Sequence, residues 1–285
     1  MRIRIFFSLL IIIPAAIIAQ QNSGDIFSTQ NRLKFGNQLY KDKDYLRAID
    51  EYKVVLKLSD NDTIRFRFAN SFFKVGRFEE AAENFKSLFA GSNISEEAKY
   101  LFYQSNFFTN NFTGFRSLYE SRIYFPEKYS KNIDQLNSAS YFFDKPSLLP
   151  NENVLLKPFD DSLQSTLARF YWLKKNPPLK NPTTAALLSA LIPGAGKVYT
   201  EELPDGLIAF GATVLSGFLA INNFQNDHQF RGWLFTGLTA FFYGGSIYGS
   251  AASAQIYNAR FQMNLDSDIK LFFEQRNYFQ PQIDF

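Results

Sequence analysis

The 285-residue chain contains no cysteine and a single histidine, His228. Without a thiolate there is no disulfide, no zinc-thiolate centre, no cysteine nucleophile and no lipidated N-terminal cysteine. One imidazole cannot build a histidine metal site, so no metal or other cofactor is expected. An excess of charge of one sign is missing as well. Lys and Arg number 30 against 27 Asp and Glu, and no Lys/Arg run forms a phosphate-binding stripe, which sets nucleic acid aside as a partner. What the chain has in abundance is phenylalanine, 33 residues, within an aromatic share of 18% and a hydrophobic share of 46%. Mean hydropathy is nevertheless slightly negative, at -0.18. A polar portion and an apolar portion averaged together give such values.

Residues 1–19 carry Arg2 and Arg4, an uncharged run from Ile5 to Ile18, then Ala19 ahead of polar Gln20, Gln21 and Asn22. A charged start, an apolar middle and a small exit residue are the anatomy of a secretory signal peptide. Ile17 stands where a small residue is preferred for cleavage, and an uncleaved anchor is the alternative. Either way the chain that follows is exported. Loss of Arg2 and Arg4 leaves 28 basic residues against 27 acidic ones.

Between residues 29 and 122 the sequence repeats. Gly36, Tyr40, Tyr45, Ala48, Tyr52 and Leu56 are matched 33 residues later by Ala69, Phe73, Phe78, Ala81, Phe85 and Phe89. A weaker copy follows at a step of 34, with Tyr103, Phe107, Phe112, Phe115 and Tyr119. Phe115 replaces the small residue of the first two copies, which predicts a looser helix crossing there. A unit of this kind cannot bury its apolar face alone, and about three stacked units are the usual minimum.

The pattern of small residue, aromatic, turn, aromatic, Ala and aromatic resembles the tetratricopeptide repeat, with Gly76 at a turn between helices. The resemblance implies a solenoid of antiparallel helical hairpins that grips a protein partner in the groove lined by the first helix of each pair. Candidate groove residues are Lys34, Asn37, Lys41, Asn70, Lys74 and Gln104. Asn37 and Asn70 again stand 33 apart, which would put two amides in register to hold an extended peptide backbone. The competing reading is that all six are solvated helix faces.

Residues 123–182 are punctuated by Pro126, Pro146, Pro150, Pro158, Pro177 and Pro178 and read as an irregular linker with short helices. The best helix candidate runs from Asp161 to Lys174. The basic, proline-rich stretch after it reads as a hinge ahead of an apolar region.

Residues 183–259 hold three charge-poor runs: Asn181 to Gly196, Gly206 to Asn226, and Gly232 to Ala259. A membrane-crossing helix needs about 20 apolar residues, so the third run is long enough, the second marginal and the first short. Small residues recur at four-residue spacing, as Ala212, Ser216 and Ala220, and as Gly232, Thr236, Ala240 and Gly244, followed by Gly245, Gly249 and Ser253, and such seams hold membrane helices together. The segment at Pro193, Gly194, Gly196, Tyr199 and Gly206 resembles a Pro-Gly-x-Gly-x-x-Tyr turn of small, mostly uncharacterised bacterial membrane proteins. That resemblance implies membrane residence. A soluble Ala/Gly-rich core is the alternative, and Lys/Arg asymmetry does not choose between two crossings and three. Residues 260–285 read as a C-terminal tail.

Chemistry finds little purchase. The Gly194 to Lys197 segment lacks the glycine and the hydroxyl of a phosphate loop, with Leu191 and Val198 in their places, so no nucleotide is expected. A Ser–His pair would need His228 beside Ser246 or Ser250. The expected fold is all-α: a tetratricopeptide-like solenoid, then a transmembrane helical hairpin or three-helix bundle. The expected function is a non-enzymatic, membrane-tethered scaffold. It would sit in the lipid bilayer of the inner membrane, with exported repeats binding a protein partner in the cell envelope. An accessory subunit of a membrane assembly or transport complex, acting through its C-terminal helices, is the alternative.

Overall fold

A computed structural model describes residues 27–59 and 61–275. The signal-peptide segment and the last ten residues of the expected tail lie outside them. The described residues are all-helical, with thirteen α-helices, two short 3-10 turns and no strand. The chain divides into two compact units, the boundary falling between Asn137 and Ser138.

The first unit begins with six helices in three hairpins: α1 (Thr29–Lys41) with α2 (Tyr45–Val55), α3 (Asp62–Lys74) with α4 (Phe78–Lys86), and α5 (Ser95–Phe108) with α6 (Phe112–Ser121). Short polar side chains start several of them. Ser28, Asp44, Asn61 and Asn111 each accept a backbone N–H of the first turn, satisfying a donor that the helix cannot pair internally.

The sequence period is also a structural period. Ala48, Tyr52, Ala69, Ala81, Phe85 and Tyr103 are fully buried, and Gly36, Phe107 and Phe115 are buried. Each hairpin closes on the same edge-to-face aromatic pair, Tyr40–Tyr45, Phe73–Phe78 and Phe107–Phe112, every one with ring centroids 5.5 Å apart. The turn residue repeats too: Lys43, Gly76 and Asn110 all take positive φ, between 61° and 78°. Only Gly76 adopts that conformation without a side-chain penalty. In the third hairpin Phe115 packs on Tyr103 and Phe107, and α5 and α6 meet less extensively than the earlier pairs.

Residues 123–182 hold more regular structure than an irregular linker. They contain α7 (Ser130–Phe142), which spans the unit boundary, α8 (Glu152–Leu156) and α9 (Asp161–Lys175), with 3-10 turns at Glu127–Tyr129 and Pro146–Leu148. The second unit continues with α10 (Pro182–Leu191), α11 (Ala195–Tyr199), α12 (Leu203–Gln225) and α13 (Gln229–Glu274). The 46-residue α13 runs through the position where a tail was expected. Leu265, Ile269, Phe272 and Phe273 recur on one helical face and are buried, with Phe273 packed on Phe142, Phe143 and Phe159, and Phe272 on Phe170.

Among the described residues α12 is the one helix long and apolar enough to cross a bilayer by length and composition. This reverses the expected ranking of the runs. In α13 the run from Gly232 to Ala259 is uncharged but diluted by glycine, serine and tyrosine.

Candidate functional site

The six residues expected to line a groove fall into two groups. Lys34, Lys41 and Lys74 are exposed. None of the three has an ion-pair partner among the described residues, and burial together with the nearby Lys43 ammonium pulls the Lys74 pKa down. Lys34 and Lys41 lie seven residues apart on one face of α1. Together with Lys43 and Lys74 they make that side of the array basic.

The three amides are engaged internally. Asn37 Oδ1 accepts from Tyr52 OH (3.0 Å) and Arg67 Nη1 (2.8 Å), and Asn70 Nδ2 donates to Tyr40 OH (2.6 Å). The Tyr52 bond lies within the first hairpin, while the Arg67 and Tyr40 bonds tie α1 to α3, so these asparagines join neighbouring hairpins. Gln104 is fully buried and donates to Tyr100 OH (3.1 Å). It therefore presents nothing to an extended ligand, a correction to its expected place on the groove. The physical cause is the segment after the third hairpin, where Tyr129 stacks on Tyr100 at 4.8 Å and closes over α5.

The expected membrane-module turn is built by close backbone contact. Pro193 lies in the bend between α10 and α11. Gly194 has φ +85°, and a Cβ there would fall 2.0 Å from Gly206 O. At Gly196 a Cβ would fall 1.9 Å from Ala185 O and 2.6 Å from Ser250 Cβ. Only glycine permits either approach. Buried hydroxyls satisfy the polar backbone thus exposed: Ser246 Oγ accepts from Gly194 N–H (2.7 Å), Ser189 Oγ accepts from Gly196 N–H (2.9 Å) and bonds to Ser250 Oγ (2.7 Å). Tyr199 OH accepts from Asn181 N–H (3.2 Å). The Lys180 ammonium lies over the Tyr199 and Tyr257 rings and pairs with Glu201 at 3.4 Å.

The small-residue seam on α13 only partly follows its expected course: Gly232 and Ser253 are buried as expected. Thr236, Ala240 and Gly244 are exposed, and the inward positions are Gly232, Ser246, Ser250 and Ser253, with Thr239 donating to Ser216 Oγ at 3.1 Å. Gly232, Thr239, Ser246 and Ser253 follow a seven-residue step. A long helix packed along its neighbours keeps to that step and drifts away from a four-residue one. His228 and Ser246 are 18 residues apart on α13, about 27 Å along the axis, so they form no catalytic pair.

Sequence reasoning passed over Lys174. Its ammonium is buried, donates to Phe142 O (2.5 Å) and pairs with Asp266 (3.6 Å). Burial holds its pKa below the ordinary lysine value, against the opposing pull of Asp266 and Asp144. It lines a cleft of about 350 Å3 with Phe143, Asp144, Phe261, Leu265 and Asp266. The signal was present: Leu163, Leu167, Phe170 and Lys174 share the inward stripe of α9, and a lysine on an apolar stripe needs a buried partner.

No protein-family model, no curated protein and no solved structure matches the chain.

Proposed function

We propose that the chain is a non-enzymatic, membrane-tethered scaffold. Its three hairpins act as a tetratricopeptide-like array that binds a protein partner in the cell envelope, and its C-terminal helices anchor it in the inner membrane with the repeats exported. The observation that carries the reading is the inverted burial of residues 182–259. Serine, threonine, glycine and alanine line the interior there, while Leu207, Ile208, Leu215, Phe218, Trp233 and Phe241 stand outside. So large an apolar surface calls for a lipid or protein cover. On the array, the unpaired lysines of α1 and α3 favour a partner segment that carries carboxylates.

The second reading, an accessory subunit working through its C-terminal helices, draws on the exposed seam of Thr236, Ala240 and Gly244. A Cβ on Gly244 or the neighbouring Gly237 would touch nothing within 4 Å, which leaves room for another helix. Site-directed crosslinking in native membranes separates the two. Under the scaffold reading, the combined Lys34→Glu, Lys41→Glu and Lys74→Glu exchange abolishes crosslinks from the array, and Gly244→Ile leaves them unchanged. The reverse pattern supports the accessory subunit and overturns the scaffold.

A further inference from the structure

Contacts along α13 trace the path of the chain before it. Near one end, Asn258 exchanges hydrogen bonds with the Lys180 backbone (2.8 and 2.9 Å). Further along come Ser250 with Ser189, Ser246 with Gly194 and Tyr243 with Ala190. α10 therefore descends antiparallel to α13. α11 then turns back: Gly196 rests on Ala185, and Tyr199 reaches Asn181. By Glu201 and Glu202 the chain is level again with Tyr257 and Ser253, through bonds of 3.3 and 2.7 Å. From there α12 makes a second and longer descent, past Ser216 and Thr239, to the place where the Phe224 ring lies against Gly232 and Trp233.

At 1.5 Å per residue the first descent ends about 17 Å from the rim of Lys180, Tyr199 and Tyr257, whereas the second covers about 35 Å. The hydrocarbon of a bilayer is about 30 Å thick. Resting on the membrane reading above, we infer that α10 and α11 form a re-entrant hairpin. It enters the bilayer to about mid-depth and leaves by the face it entered, so that α12 and the uncharged, less apolar stretch of α13 packed along it are the two crossings, and acyl chains are what covers the outer surface of all four helices.

Three features carry this. The tip is apolar and bare, with Leu191 81% exposed and Ile192 and Leu187 also exposed, as a surface among acyl chains would be. The backbone N–H groups at the break in the helix all have partners. Gly194 and Gly196 N–H are held by serines, and Ala190 C=O accepts from Tyr243 OH (2.7 Å). Non-helical backbone survives at membrane depth only when so satisfied. Finally, Lys174 pairs with Asp266 and Phe170 packs on Phe272. The segments before α10 and after the apolar part of α13 thus lie on the same face, which requires an even number of crossings.

The absence of cysteine makes the test direct. Single variants Lys175→Cys, Leu191→Cys, Asn226→Cys and Lys270→Cys, all at exposed positions, are treated with a membrane-impermeant maleimide from each side of sealed vesicles. Retention in the carbonate-washed membrane pellet is scored on the same samples. The expected result is that positions 175 and 270 react from one side and 226 from the other. Leu191→Cys, with Ile192→Cys as a second tip variant, is expected to lose labelling from both sides and regain it in detergent. Reaction of the tip from the side that labels 226, or reaction of 175 and 270 from opposite sides, overturns the re-entrant path while pellet retention leaves the membrane reading standing. Release from the pellet with all positions reactive overturns both.

Discussion

In the first unit the largest side chains are the most deeply buried, and in residues 182–259 of the second unit the smallest are. Tyr52, Phe85, Tyr103 and Phe115 form the centre of the helical hairpins, at 2% exposure or less. Phe218, Trp233 and Phe241, of the same size and kind, are 63–71% exposed, while Ser189, Ser250 and Ala254 are sealed inside. Both units pack helix on helix, and under the membrane reading proposed above the difference lies in the solvent each is built for. Water expels aromatics from the surface, and a close-packed aromatic core is the response. Acyl chains exert no such drive, and helices then meet where backbones approach closest and hydroxyls find partners.

The largest effect that sharpens this contrast is alkaline. Burial pushes Tyr52 and Tyr103 up to about 12. A phenol whose pKa is higher folded than unfolded contributes stability below the unfolded value near 10 and loses it as pH rises toward 12. The two together are expected to cost the first unit roughly 5 kcal/mol across that window, read as a near-ultraviolet circular dichroism transition that Tyr52→Phe moves upward. Next in size is a matched pair of truncations. Phe85→Ala is expected to cost about 3–5 kcal/mol, and Phe218→Ala about 0.5 kcal/mol or less, as for a surface change. Denaturant titration of both variants in lipid nanodiscs checks this, and equal losses would break the contrast.

A smaller effect comes from adding a methyl group. Gly196→Ala forces a Cβ onto the Ala185 carbonyl and is expected to cost about 1–3 kcal/mol or more. Gly237→Ala meets nothing within 4 Å and should leave the melting temperature in nanodiscs unchanged. The smallest effect has the opposite pH sign to the tyrosines. Lys174 holds its proton less tightly folded than unfolded, so its contribution to stability rises with pH through the window below 10.5. Lys174→Met is expected to flatten that slope, measured by hydrogen exchange of the α9 backbone, where the tyrosine transition of the first unit does not intrude.

The repeat was legible because three of its six positions are buried in both copies, so size and spacing are kept together at Gly36, Ala48 and Tyr52 and again at Ala69, Ala81 and Phe85. Its turns were only partly legible. Gly76 announces a positive φ and Asn110 carries a weaker signal for one, whereas Lys43 adopts one with a side chain that carries none. The exposure of the candidate groove residues was only partly legible: the exposed lysines follow from helical spacing, but Gln104 is covered by a segment more than twenty residues further on, which no local pattern reveals. In the second unit the glycines of the turn were visible as a motif. The inward stripe of α13 was not, because the run from Gly232 to Ala259 offers small residues at steps of both four and seven, and only its neighbours decide between them. The end of α13, expected as a tail, carries its helical signal in Leu265, Ile269, Phe272 and Phe273, whose spacing is that of an amphipathic helix.

The central claim is that the inverted second unit has lipid for its solvent. Alkaline carbonate extraction of the native membrane fraction, followed by detection of the full chain, tests it most directly. The expected result is that the protein stays in the membrane pellet and leaves it only with detergent. Release into the carbonate supernatant as a soluble protein would contradict the account.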